Sequence, residues 1–190
     1  MSTAHTLATT RELLSTFLLH FPFVSHDISY SGNIAHQFIA KQIILQNVAS
    51  SLVDYQQQRI VVDESWTLVV DRTGLAWVWM DEDNKMVKQE AILGPPMLSP
   101  QQTEAAAVLQ ALRWAYQQGI KRLLLQTDCL VLVQLLHTYD QDNDWQLHSL
   151  LSDILLCTKQ FAYVVLEKVD RAVVQPAHSP ATFVRLDFEN

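Results

Sequence analysis

The chain has 190 residues, of which 49% are hydrophobic and 17% are charged, and its formal net charge is −7. This composition predicts a globular protein with one core, and it excludes nucleic-acid binding through overall basicity but not through a local basic patch. No apolar run reaches the roughly 18 residues of a membrane span and no secretory signal opens the chain, so we expect an intracellular protein of the nucleus or cytoplasm, with no membrane partner.

The first 50 residues predict a helix, a strand and a second helix. Residues 9–20 have helical apolar spacing, residues 23–30 alternate like a strand, and residues 34–52 return to a helical pattern. The helix around 34–48 has one apolar face, formed by Ile34, Phe38, Ile39, Ile43 and Ile44. We expect this face to pack on the following domain or on a partner, and the alternative is that it packs only on its own hairpin.

From residue 59 the pattern predicts a sheet that begins with three strands. Residues 59–70 and 75–80 are strand-like, and the run 81–84 is a turn signal. Residues 86–93 then return as the hairpin partner. A helix follows, because Ser99 and the glutamine three residues later form a capping box.

The second half of the chain alternates between helices and strands. Gly119 ends the capped helix. The next elements are a strand at residues 123–126, a helix after residue 128, a helix at residues 145–160 and a strand at residues 161–169. Pro176 and Pro180 argue against a long regular helix in residues 171–190. This order predicts an α/β fold with a mixed five-stranded sheet, in which an antiparallel hairpin of strands 1–3 precedes parallel strands and helices flank the sheet.

Three acidic residues fall at places where the predicted sheet and helix meet. Asp63 ends the first strand of the sheet, and Asp128 ends the fourth. Glu104 shares a helical stripe with apolar residues, so we expect it to face the sheet. Carboxylates that converge from two strand ends and a facing helix suit hard divalent cations, and two such ions can promote phosphodiester cleavage.

Each acid also has a structural interpretation. Asp128 could cap the helix that starts at Cys129, and Glu104 in an early turn favours the helix dipole. From spacing alone, the metal-binding and structural interpretations both stay open.

Residues 99–136 read SPQQTEAAAVLQALRWAYQQGIKRLLLQTDCLVLVQLL and resemble a plant-type ribonuclease H-like domain, a group with many retrotransposon-related members. In that family a Ser-Pro-x-x-x-Glu-Ala helix leads to a strand ending in Thr/Ser-Asp-Ser/Cys. VDESW at residues 62–66 resembles the family's first strand, Val-Asp-Gly-Ser-Trp, and GLAWVWMDEDN at residues 74–84 resembles its next strand and turn. The resemblance covers residues 59–178 and implies a ribonuclease H-like fold with the same mixed sheet.

The resemblance also implies an activity and a site. Members of the family bind two magnesium ions through four acids and hydrolyse the RNA strand of an RNA:DNA hybrid. Asp63, Glu104 and Asp128 match three of these acids and would hold the metal. His178 stands in place of the fourth acid, as a candidate fourth ligand or proton-handling group. Because imidazole suits manganese better than it suits magnesium, Mn²⁺ is an alternative to Mg²⁺.

The end of the domain departs from the family pattern. The family reads His-Val-Pro-Arg-x-x-Asn-x-x-Ala-Asp, whereas residues 168–178 read KVDRAVVQPAH, in which Val169, Arg171 and Ala177 agree. Glu64 replaces the usual glycine and is expected to add bulk beside the first-strand acid. Two hypotheses follow, a ribonuclease H acting on RNA:DNA hybrids or a catalytically silent module of the same fold that binds nucleic acid or protein. The retained acids favour the first, and the net charge of −7 favours the second.

The N-terminal segment resembles the end of this domain. Residues 12–19 resemble residues 149–156, and residues 23–41 resemble the family's final strand and closing helix. We therefore assign residues 1–50 to a helix-strand-helix extension and residues 57–190 to the ribonuclease H-like domain. The extension is either the remnant of a preceding tandem domain or the source of a closing helix, supplied within one chain or between two chains in a homodimer or domain swap.

Overall fold

The structure, a computed structural model, describes residues 42–47, 56–68, 72–138 and 145–187. The strands are β1 (Gln42–Asn47), β2 (Gln58–Ser65), β3 (Thr73–Met80), β4 (Met86–Gly94), β5 (Arg122–Thr127) and β6 (Tyr163–Lys168). The helices are α1 (Pro100–Gln117), α2 (Leu130–His137), α3 (Trp145–Thr158) and α4 (Arg171–Leu186). Among these residues, no helix is both long and apolar enough to cross a membrane.

The strands form one mixed sheet in the order β1-β6-β5-β2-β3-β4. β2, β3 and β4 pair antiparallel, as the predicted hairpins require, whereas β5 pairs parallel with both β2 and β6. The α/β class and the mixed sheet are therefore confirmed. The parallel pairings place the carboxyl ends of β2, β5 and β6 at the same edge of the sheet.

The sheet has one strand more than predicted, because residues 42–47 form β1 rather than part of a helix. β1 pairs antiparallel with β6 at the edge of the sheet. Ile43 is buried and Ile44 is 59% exposed, so the run alternates as a strand does. Periodicity does not separate a helix from a strand over so short an apolar run, and adjacent isoleucines favour the extended form.

The predicted helix at 34–48 is therefore wrong over residues 42–47. The remainder of the proposed extension, residues 1–41 and 48–50, lies outside the described residues. Its origin in a tandem domain, and the homodimer or domain swap that it would allow, stay predictions.

Alternate residues of the central strands pack on opposite faces of the sheet. Ile60 and Val62 of β2 join the large core that α1, α2 and α3 cover. Val61, which lies between them, packs with Ala177 of α4. Because side chains alternate along a strand, α4 approaches the sheet from the face opposite α1.

α4 is a continuous helix, although its sequence argued against one. Pro176 and Pro180 lie inside it and remove two backbone donors. Tertiary packing overrides this local cost, since one face of the helix is buried against the sheet through Val174, Ala177 and Ala181. The expectation of an irregular end to the domain is therefore wrong.

α4 lies directly against the sheet at Gly74 of β3. A methyl group at this position would overlap the backbone carbonyl oxygen of Ala181 and lie 2.7 Å from its carbonyl carbon. We expect Gly74→Ala to lower the free energy of unfolding by about 1–3 kcal/mol, because overpacking forces the helix away from the strand. Urea denaturation measures the loss, and hydrogen exchange of the α4 amides should accelerate about tenfold.

Gly119→Ala is the control for this experiment. Gly119 ends α1 with a φ of 76°, but apart from its own chain neighbours no described residue has a heavy atom within 4 Å of the position that its Cβ would take. The substitution should therefore cost stability through left-handed backbone strain alone and leave α4 protected. Equal α4 protection in the two variants would show that close packing at Gly74 does not hold the helix.

Candidate metal centre

Asp63 and Asp128 meet at the carboxyl ends of two neighbouring parallel strands. Val61 of β2 lies level with Gln126 of β5, and each acid is two residues further along its chain. Asp63 is fully buried, whereas Asp128 is partly exposed. The parallel crossover therefore brings two acids that are far apart in sequence to one edge of the sheet.

Glu104 reaches the same edge from α1. Ser99 caps this helix, since its Oγ accepts a hydrogen bond of 3.2 Å from the backbone N–H of Gln102. The side chain of Gln102 returns to accept a hydrogen bond of 2.8 Å from the N–H of Leu98. This start sets the phase of the helix so that Glu104 faces the sheet, where it is 3% exposed.

Thr127, the last residue of β5, holds Glu104 in place. Its hydroxyl donates a hydrogen bond to Oε1 of Glu104. The same hydroxyl oxygen accepts a hydrogen bond of 2.9 Å from the backbone N–H of Cys129. Thr127 has no role in the sequence analysis, although its place directly before Asp128 in the matched motif is a signal that could have found it.

The three acids converge. One carboxylate oxygen from each of Asp63, Glu104 and Asp128 lies within 4.8 Å of the others, so the three groups could hold a metal ion. All three donors are oxygen atoms, which hard cations such as Mg²⁺ and Mn²⁺ prefer.

The contacts of Asp128 and Glu104 differ from those that a helix cap and a helix-dipole interaction would require. Cys129, not Asp128, occupies the N-cap position of α2, and its side chain makes no capping hydrogen bond. Oδ2 of Asp128 instead accepts a hydrogen bond of 2.8 Å from Arg171. Glu104 lies beyond the first turn of α1 and is buried, so the helix dipole does not account for its position.

Two residues of α4 complete the cluster. Nη1 of Arg171 lies 3.2 Å from Oδ1 of Asp63 and 2.8 Å from Oδ2 of Asp128. Nη2 of the same guanidinium lies 2.7 Å from Nδ1 of His178. The structure thus brings His178 to the acids and adds Arg171, which the sequence analysis matched to the family without assigning a role.

One oxygen of Asp63 is left without a hydrogen bond. Oδ2 lies 2.9 Å from Nδ1 of His178, but that nitrogen also faces Nη2 of Arg171, which can only donate. The two neighbours compete for Nδ1, because a carboxylate oxygen can only accept a hydrogen bond and a guanidinium can only donate one. Consistent with this arrangement, Oδ2 is buried and accepts no hydrogen bond from the described residues. A buried, unpaired carboxylate oxygen fits a position that contacts a cation.

Burial raises the pKa values of the carboxyl groups in the cluster. Burial, the largest cause, and the neighbouring acids raise the pKa of Glu104 to about 8, against the hydrogen bond from Thr127. Burial also raises the pKa of Asp63, although a backbone hydrogen bond and the charge of Arg171 oppose the rise. The cluster thus holds more buried carboxyl groups than one guanidinium neutralises, which is the electrostatic condition of a cation site.

Glu64 adds a further carboxyl group on the opposite face of β2. It lies level with Leu75 of β3, whose side chain packs on Ala106 and Ala107 of α1. Burial, followed by the charge of Asp63, raises the pKa of Glu64 to about 7. The bulk that the sequence predicts beside Asp63 therefore points to the other side of the strand, because side chains alternate.

A family model described as reverse transcriptase-like matches residues 62–184. The chain belongs to this reverse transcriptase-like family. The match begins in β2 and ends in α4, so the part of the chain that defines the family carries every residue of the cluster, namely Asp63, Glu104, Thr127, Asp128, Arg171 and His178. A comparison with curated proteins found no match.

Solved structures show the same fold for this family member. RNase H1 from the halophilic archaeon Halobacterium salinarum NRC-1 is 19% identical, with a TM-score of 0.64 over 70% of this chain and 99% of its own. LC11-RNase H1, solved in complex with an RNA/DNA hybrid, is 12% identical, with a TM-score of 0.63 over 70% of this chain and 99% of its own. The N-terminal RNase H domain of rv2228c from Mycobacterium tuberculosis, solved as a fusion with maltose-binding protein, is 16% identical, with a TM-score of 0.61 over 69% and 94%. The fold is therefore ribonuclease H-like.

The raised pKa of Glu104 predicts a pH-dependent stability in the absence of metal. Its pKa is about 8 in the folded chain and near 4.5 in an exposed glutamate, so the folded state keeps a proton that the unfolded chain releases. The stabilising contribution is complete below pH 4.5 and is lost as the pH rises through about 8. Glu104→Gln has no such proton to lose. Its free energy of unfolding, relative to that of the parent, should therefore rise by about 1–3 kcal/mol between pH 5 and pH 9.

Chemical denaturation in the presence of a chelator, at several pH values, measures this difference in the free energy of unfolding. Glu82→Gln, which changes an exposed acid of the β3–β4 turn, is the matched control and should show no such growth. If the Glu104→Gln advantage does not change with pH, the carboxyl group is ionised in the folded state over the whole range.

Proposed function

We propose that this chain is a metal-dependent nuclease of the ribonuclease H type, which hydrolyses the RNA strand of RNA:DNA hybrids. The observation that carries the proposal is the convergence of Asp63, Glu104 and Asp128, whose carboxylate oxygens lie within 4.8 Å of one another. Membership of the reverse transcriptase-like family and the ribonuclease H-like fold support the same function. LC11-RNase H1, which shares the fold, binds an RNA/DNA hybrid in its solved structure.

Magnesium is the cation that we propose for the site, with manganese as the alternative. Asp63, Glu104 and Asp128 would hold it, because they supply only oxygen and because Oδ2 of Asp63 accepts no hydrogen bond from the described residues. When bound, such a cation activates a water molecule and stabilises the leaving oxygen in phosphodiester cleavage.

The residues of the chain have their own parts in this mechanism. Thr127 orients Glu104 toward the other two acids through its hydroxyl. Glu104 gives up its proton when a cation binds, because a nearby positive charge favours the ionised form. His178 lies beside the acids, with Nδ1 2.9 Å from Oδ2 of Asp63, as a fourth ligand or as an acceptor for a proton of the attacking water.

A catalytically silent module of the same fold is the second candidate, and the position of Arg171 is the observation that favours it. Its guanidinium already contacts Asp63 and Asp128. In a silent module this contact would be permanent, and the acids would serve only to hold α4. Such a module would bind nucleic acid or protein without cleaving it.

Cleavage of a labelled RNA:DNA hybrid, first in Mg²⁺ and then in Mn²⁺, separates the two candidates. We expect the parent chain to cleave the RNA strand and Asp128→Asn to lose at least about 100-fold in rate, because the amide cannot supply the negative charge that binds the metal. Asparagine caps a helix about as well as aspartate, so a cap-only role would leave the rate unchanged.

Circular dichroism of each variant confirms that the protein tested is folded. The same labelled RNA strand without its DNA complement is the substrate control and should be cut more slowly. No cleavage of the hybrid in either metal by the folded parent would reject the nuclease and leave the silent module.

A further inference from the structure

The guanidinium of Arg171 lies where a divalent cation would contact two of the acids. Nη1 is 3.2 Å from Oδ1 of Asp63 and 2.8 Å from Oδ2 of Asp128, so it bridges residues of two strands. A hard divalent cation sits about 2.0–2.6 Å from carboxylate oxygens and would need the same two side chains. Because two cations at this distance repel each other, the metal and the guanidinium exclude one another.

We propose that Arg171 is a built-in competitor of the divalent metal. It neutralises Asp63 and Asp128 in the metal-free protein, and it must leave before a metal can bind both residues. This inference rests on the proposed function, because it assumes that the acids bind a metal. Under this inference, the affinity for the metal depends on the free energy needed to displace Arg171 of α4 from the acids.

His178 strengthens the competitor relative to the metal. Nη2 lies 2.7 Å from Nδ1 of His178, so the guanidinium has three neighbouring side chains in the cluster. Replacing a carboxylate by an imidazole, which carries no negative charge, removes about twice as much Coulomb attraction from a divalent ion as from a guanidinium. The chain that has histidine at this position therefore favours Arg171 over the metal more than a chain with a fourth acid would.

The position of Arg171 allows it to be displaced. It is the first residue of α4, and its side chain is 50% exposed, so the guanidinium can turn into solvent without breaking the helix. The side chain of Asp63 is only 1% exposed and has no such freedom. The buried acid thus stays in place while the cation that neutralises it is exchanged.

Calorimetric titration of the full, chelator-treated chain with Mn²⁺ alone tests the inference. Arg171→Met removes the competitor while keeping an apolar stem, so we expect its dissociation constant for Mn²⁺ to fall by about tenfold or more. Arg171→Lys keeps the charge but loses the planar guanidinium that contacts several partners at once. We expect its dissociation constant for Mn²⁺ to fall by about threefold. Arg185→Met is the control, because it removes an arginine of the same helix that contacts Ser65. Its dissociation constant for Mn²⁺ should stay within about twofold of that of the parent.

A second readout is the melting temperature with and without Mn²⁺. Without metal, Arg171→Met should melt several degrees below the parent, because its acids lack a counter-charge, and Mn²⁺ should raise its melting temperature more than that of the parent. If Arg171→Met does not fold, Arg171→Lys decides the question by its Mn²⁺ affinity.

The outcomes separate this inference from the proposed function. Equal or weaker Mn²⁺ binding by the Arg171 variants, with binding by the parent, would overturn the competition and leave the nuclease intact. Tighter binding without hydrolysis of a hybrid would support the competition and reject the nuclease. No Mn²⁺ binding by the parent or by either Arg171 variant would overturn both.

Discussion

Two buried carboxyl groups, those of Asp63 and Glu104, set the condition that the rest of the site must meet. A buried charge without a partner is costly, so the surroundings must supply a cation or keep a proton on the group. The structure does both, since Arg171 lies 3.2 Å from Asp63 and the pKa of Glu104 rises to about 8. Both responses leave the same acids available for a divalent cation, which would replace the guanidinium and the proton together.

The fold brings these groups together from three directions. The parallel pairing of β2 with β5 puts two strand ends that carry acids at one edge of the sheet. α1 then delivers Glu104 from one face, and α4 delivers Arg171 and His178 from the other. The packing of α4 on the sheet at Gly74 therefore fixes the position of the competing cation as well as the stability of the domain.

The sequence predicted the acids of the site better than the groups that balance them. Asp63 and Asp128 lie at the carboxyl ends of two strands, and Glu104 follows the phase of a well-capped helix, so local patterns predicted their placement. The family resemblance was needed to favour a metal site over structural roles. The contacts of Arg171 could not be predicted from the sequence. A long, half-exposed side chain can contact any acid near it, and which acids are near depends on where α4 packs. That helix was itself mispredicted, since the cost of its two prolines is visible in the sequence and the burial that offsets it is not. β1 was missed for a related reason, because its pairing with β6 decides between helix and strand.

Competition between Arg171 and a divalent metal for the same acids can be observed directly. Crystals grown without metal and then soaked in Mn²⁺ would test it by anomalous scattering. We expect an anomalous peak about 2.0–2.6 Å from oxygens of Asp63 and Asp128, with the guanidinium moved into solvent. A guanidinium that still bridges the two acids at saturating Mn²⁺, with the peak absent or elsewhere, would contradict it.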